Sequence, residues 1–210
     1  LTEQGEMIAV QQTRDINGFG EYLREAVAKG RQIHILPPYR GDMKIKLAKW
    51  FNTDIDSLSK YVSQELIAEV VKLREIKSDV EIEDMENAAN TAYFMHTTAM
   101  KMCKPGVIEQ EIAGAVEGIA ISNGYGVSFP VILSVDGQTL HNHSHNNVLQ
   151  EGRMMVCDAG AETKNYYASD FTRTIPVGGK FNARQAEIYN IVLKANMEVI
   201  NNTRPFNRYF

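Results

Sequence analysis

Apolar residues recur at helical spacing over Asn17–Gly30, where Phe19, Tyr22, Leu23, Ala26 and Val27 share one face and Gly30 is a stop signal. The same spacing over Asp42–Phe51 offers Met43, Ile45, Leu47 and Trp50 to a core, and Ser63–Ile76 reads as a further helix. Between them Gln32–Leu36 alternates as a short strand, stopped by Pro37-Pro38 and carrying His34 outward. Ser78 and Glu81 have the spacing of a capping box at the head of a long helix. Its apolar stripe runs through Ile82, Met85, Ala88, Ala89, Ala92, Met95, Ala99 and Met102, and Pro105-Gly106 ends it. His96 lies beside that stripe and reads as a histidine at the core edge.

Glu109–Ser122 reads as the next helix, stopped at Asn123-Gly124. Strand patterns follow over Val127–Val135, Arg153–Cys157 and Tyr166–Pro176, with the polar Thr163-Lys164-Asn165 as a hairpin loop between the last two. A final helix opens at Asn182 with Gln185 three residues on, and is expected to bury Ile188, Ile191, Val192, Ala195 and Val199. The order of elements predicts an α+β protein in two parts, residues 1–77 and residues 78–210.

Composition narrows this only a little. With 44% hydrophobic and 23% charged residues in 210, the chain is an ordinary globular sequence. A net charge of −4 without a basic stripe gives nucleic-acid binding no electrostatic support. No apolar run has the length of a membrane span and no signal peptide is evident, so no membrane partner is expected. Cys103 and Cys157 sit in apolar stretches and read as buried free thiols, which fits a cytoplasmic protein. The chain opens on Leu1 and closes on RPFNRYF, and it reads as an internal fragment.

The candidate chemistry lies in DAGAETKNYYASD, which runs from Asp158 to Asp170. If Glu162 pairs with Tyr166, Asp158 falls directly opposite Asp170, with Cβ atoms about 5 Å apart. Facing carboxylates repel and cannot both ionise cheaply, so a divalent metal between them is the simplest resolution. The alternative is that one Asp tips into solvent. Small residues after Asp158 (Ala159-Gly160-Ala161) are expected to leave room for a ligand. Upstream, TLHNHSHNN admits three readings: a metal site of His141, His143 and His145, a polar loop, or a single working residue, His141. The third is favoured, because Thr139-Leu140 is strand-like and sets His141 at a strand mouth.

The combination of TLH, DAGAE and ASDFTRTIPVGGKF resembles the aminopeptidase P and prolidase group of metallopeptidases, whose catalytic domain has the pita-bread fold. LREIKSDVEIEDMENAA resembles the junction before that domain. The resemblance covers about residues 67–199 and looks closest to the enzymes that remove an N-terminal residue preceding proline. It implies a partial pita-bread domain after a remnant of an N-terminal α/β domain. It implies Asp158 and Asp170 as metal ligands, the second bridging two ions, and His141 as a catalytic residue contacting substrate or the developing oxyanion. It implies two divalent metal ions, manganese first, with zinc, cobalt or iron as alternatives. Peptides with proline at the second position are the implied partners, together with a homo-oligomer, a dimer.

The group's remaining ligands, one His and two Glu, lie well downstream of the second Asp, and no residue here matches them. The chain alone is therefore expected to bind metal weakly and to be inactive. Two rival readings stand beside this one: a non-catalytic pita-bread module that binds peptide or protein, and a hydrolase centred on His141, His143 and His145.

Overall fold

A computed structural model describes Val10, residues 12–142 and residues 144–205. His143 and the closing FNRYF therefore lie outside the described residues. The chain divides into two compact units, Leu1–Ile76 and Lys77–Phe210.

In the first unit, α1 (Phe19–Ala28) follows a 3-10 turn at Ile16–Gly18, and α2 (Gly41–Phe51) and α3 (Gln64–Glu75) follow it. Leu23, Phe51 and Leu58 form the buried centre, with Ile33, Ile35, Leu47, Trp50 and Tyr61 packed around them. The α2 stripe is therefore Leu47, Trp50 and Phe51, whereas Met43 and Ile45 are exposed. A narrow helical contact accepts positions i, i+3 and i+4, and Ile45 lies off that line. The expected strand Gln32–Leu36 is reduced to one parallel bridge, Ile35 to Val62. His34 is exposed, as the alternation suggested.

The second unit opens on α4 (Asp79–Met102), capped by Ser78 and Glu81 as the sequence predicts. Glu81 also accepts a hydrogen bond from the Tyr167 hydroxyl. That bond first, and the cap second, lower its carboxyl pKa to about 2. Helix α5 (Glu109–Asn123) packs on α4, and both lie against a three-stranded antiparallel sheet ordered β2 (Ile132–Ser134), β3 (Met154–Ala159), β5 (Phe171–Pro176). A two-stranded ladder pairs β1 (Gly126–Val127) with β4 (Ala161–Glu162). The expected continuous strand over Val127–Val135 is thus two strands broken at Phe129-Pro130. Proline has no N–H to give a ladder, so the pairing stops there.

Burial alternates along β3. Met155, Cys157 and Ala159 enter a core with Ala92, Met95, Ala99, Ile112, Val116 and Leu133, while Met154, Val156 and Asp158 face the other way. Cys103 and Cys157 are buried free thiols, raised by burial to about 11 and about 12, so neither is a ready nucleophile. The last helix, α6 (Ala183–Asn202), has the capping box of Asn182 and Gln185, and Gln185 Nε2 donates to Gly152 O at 2.8 Å. It buries no residue. Ile188, Ile191, Val192, Ala195 and Val199, expected in a core, are exposed. The helical period in that segment marks an apolar face that no described residue covers.

Candidate metal-binding site

The register of the hairpin differs from the expected one by two residues. Asp158 pairs with Thr172 and Ala159 with Phe171, and the ladder continues through a bridge between Glu162 and Ala168. The turn is Thr163–Tyr166, closed by Tyr166 N to Thr163 O at 3.0 Å, and Tyr166 adopts a positive φ of 67°. Asp170 is therefore the diagonal neighbour of Asp158 and not its direct partner. Side-chain direction has a period of two along a strand, so the two-residue shift keeps both carboxyls on one face.

Asp158 has Ile132 of β2 on one side and Thr172 of β5 on the other. Its Oδ1 is buried without a hydrogen-bond partner. Its pKa is raised, by burial first and also by the charge and contact of Asp170, with the Thr172 side chain pulling the other way. A buried carboxylate oxygen with no donor costs free energy unless a cation or proton satisfies it. Asp170 is exposed. Together with Phe129, Pro130, Ile132, His141 and Asn142, the two Asp residues line an open pocket of about 490 Å³.

His141 thus joins the carboxyl pair, but it does not sit at a strand mouth. Strand β2 ends at Ser134, and His141 lies in a bend with φ of 55°, after an exposed Leu140. His145 Nδ1 is 2.9 Å from Leu133 O, so it serves the loop's internal bonding. Among the described residues no group of three His, Cys, Asp or Glu side chains converges as a metal site, and His143 is not described.

Gly160 corrects a further expectation. Its closeness is to the protein itself: a Cβ there would lie 1.7 Å from Ser169 O and 2.5 Å from Ser128 Oγ. Its neighbours Ala159 and Ala161 are core residues and leave no ligand space. His96 is more central than an edge position. It is buried, with Nε2 3.0 Å from Ala159 O, next to Asp158 in sequence. Burial lowers its pKa, which favours the neutral ring with Nε2–H donating to that carbonyl. No local pattern signals this contact, which joins residues distant along the chain. The Phe129-Pro130 wall had a signal, the proline inside a strand pattern.

Two carboxyls on one face, one with an orphaned buried oxygen, suit a hard divalent cation that prefers oxygen ligands. Comparison with known proteins gives this arrangement its class. Residues 83–210 match metallopeptidase family M24, and the chain belongs to that family. It is 30% identical over 187 residues to a probable Xaa-Pro aminopeptidase of Chaetomium globosum, covering 86% of this chain and 30% of that protein. It is 35% identical over 131 residues to the Xaa-Pro aminopeptidase of Escherichia coli K12, covering 60% of this chain and 29% of that one.

Among solved structures, a variant of Escherichia coli aminopeptidase P in complex with substrate superposes with a TM-score of 0.75 at 25% identity, over 96% of this chain and 47% of that chain. The Xaa-Pro dipeptidase of Bacillus anthracis gives a TM-score of 0.74 at 26% identity, over 97% and 57%. The mixed helix and sheet of the second unit is part of the pita-bread catalytic domain of such enzymes. The chain spans about 30% of the length of these curated relatives and about half that of the solved ones. No described helix is long and apolar enough to cross a membrane.

Proposed function

We propose that this chain carries part of the active site of a metal-dependent Xaa-Pro aminopeptidase, which hydrolyses the bond between an N-terminal residue and proline. The observation that carries the reading is the buried, unpartnered Oδ1 of Asp158 beside Asp170 in a pocket that His141 also lines. Asp158 and Asp170 hold divalent metal, with manganese favoured among oxygen-loving ions. When bound, the metal supplies an activated water and polarises the scissile carbonyl. His141, exposed at the pocket, contacts the substrate and donates toward the oxyanion that develops on that carbonyl. The apolar wall of Phe129, Pro130 and Ile132 supports a pocket for an apolar part of the peptide, such as a proline ring.

Two carboxyls leave most coordination positions of an ion to water. With no group of three donors among the described residues, the chain by itself binds metal weakly and does not turn over peptide. The uncovered apolar face of α6 supports self-association, and the two buried free thiols support a cytoplasmic setting.

Calorimetric titration with manganese tests the site. Asp170→Ala lowers affinity by at least about tenfold, the range in which even outer-shell losses fall. His145→Ala and His143→Ala leave it within about twofold. Unchanged affinity in Asp170→Ala overturns the reading, and loss in either histidine variant favours a histidine-centred site.

A further inference from the structure

We propose that Glu109 is a positioning residue for His141, holding both ends of the segment that carries it. Glu109 is the first residue of α5 and is fully buried. Its Oε1 accepts from Val135 N–H at 2.7 Å and from Asn147 Nδ2 at 3.1 Å. Val135 is the residue after β2, where the chain departs toward His141, and Asn147 is where it returns. One carboxyl oxygen therefore closes the loop at its neck.

The backbone of the same helix end repeats the grip. Glu109 N–H donates to Asn147 O at 3.0 Å, and Gln110 N–H donates to His145 O at 2.9 Å. These are amides that a helix start leaves without internal partners. A second clamp lies inside the loop, where Asn142 Nδ2 and His145 Nδ1 both reach Leu133 O, at 3.0 Å and 2.9 Å. From outside, Arg153 Nη2 donates to Val135 O at 3.2 Å and pairs with Asp136 at 2.9 Å.

The cost of the arrangement shows that it is not simply good packing. Glu109 Oε2 is buried with no partner, a penalty that an apolar residue at this position avoids. His141 adopts a left-handed φ of 55°, which a non-glycine residue keeps only when its surroundings hold it there. The anchored neck provides that constraint six residues away from Val135. The proposal rests on the reading of His141 as the substrate-side residue, and it gives Glu109 no contact with substrate or metal.

The test uses the 210-residue chain as wild type, Glu109→Ala, Glu109→Gln and Asn147→Ala. Amide hydrogen exchange is read over Val135–Asn142, with β3 as the internal reference. Ring signals of labelled His141 are read with manganese added as a paramagnetic probe. Glu109→Ala is expected to speed exchange at Val135 by at least about tenfold, the scale for a lost hydrogen bond to a carboxylate. Broadening of His141 by manganese should fall while exchange in β3 stays unchanged. Glu109→Gln keeps an acceptor oxygen and should restore both readouts to within about twofold. Asn147→Ala should show a smaller effect confined to the loop, and it carries the test if Glu109→Ala does not fold.

Unchanged loop exchange in Asn147→Ala, and in Glu109→Ala where that variant folds, overturns the proposal. So does acceleration that spreads equally through β3, which marks a general stability effect. If manganese leaves the wild-type His141 signals sharp, the metal reading of Asp158 and Asp170 fails, while the exchange data still decide the role of Glu109.

Discussion

The β3–β5 hairpin and helix α6 carry equally clear amphipathic patterns, yet the molecule treats them oppositely. The inward face of β3 is complete: Met155, Cys157 and Ala159 lie in the core under α4 and α5, joined from β5 by Ile175, while Arg173 and Phe171 farther along β5 are exposed. Helix α6 buries none of its residues, although its capping box is fully formed. A hydrophobic period states that an element has an apolar face. It does not state what covers that face, because the covering surface is set by contacts distant in sequence.

Paired truncations break or keep this contrast with the largest effect. Met155→Ala removes a fully buried side chain and should cost about 3 kcal/mol in urea unfolding. Val192→Ala on α6 should cost under about 0.5 kcal/mol, since its side chain is exposed. Equal losses at the two positions mean that α6 is covered in solution, by a second copy or another surface. Light scattering on the same samples tells which.

A smaller effect sharpens the hairpin side. Gly160→Ala puts a methyl group against the Ser169 carbonyl, and backbone cannot yield as a flexible side chain can. The expected loss is about 2 kcal/mol by thermal unfolding, with β4 pairing disturbed first. A neutral result means that the close crossing of β1, β4 and the strand leading into β5 relaxes freely.

The smallest effects come from two carboxyls, Glu81 in the first turn of α4 and Asp158 within β3, and they have opposite signs with pH. Glu81, lowered to about 2 by Tyr167 and the helix cap, stabilises the fold above the ordinary carboxylate range. That contribution is lost as pH falls from there toward about 2. Asp158, raised by burial and by Asp170, penalises the fold while ionised, and the penalty is relieved as pH falls through its raised pKa. Urea midpoints between about pH 6 and about pH 3 should therefore fall less in Glu81→Gln than in wild type, and more in Asp158→Asn. Asp158→Asn should also be the more stable protein near neutral pH. The reverse order means that Asp158 is already satisfied in the free protein.

Part of the site is legible in the sequence. The carboxyl pair and its position on one face follow from residue types and a period of two, whereas His141 as its companion rests on the family resemblance, since the strand mouth expected for it is absent. A local pattern misleads where a feature has two explanations. Small residues after Asp158 suggest room for a ligand, but Gly160 makes room for the Ser169 carbonyl. Thr139-Leu140 has a strand-like pattern but is loop, because β2 stops at Ser134 and the segment beyond is tied to the first turn of α5. His96 and Glu109 carried no local signal, since their partners lie far along the chain.

By itself the sequence determined the helices and their caps, the alternation of β3, the free buried thiols and the motif by which the chain joins its family. Each of these depends on neighbours within a few residues, which is the range over which caps and periods act. Only the tertiary structure decided the register of the hairpin. Thr163 and Asn165 donate to Asp84, and Tyr167 donates to Glu81, so the turn is fixed against the start of α4 and not by its own loop chemistry. That docking moves the pairing by two residues and makes the two carboxyls diagonal neighbours. It leaves them on the same face because side chains along a strand repeat every second position.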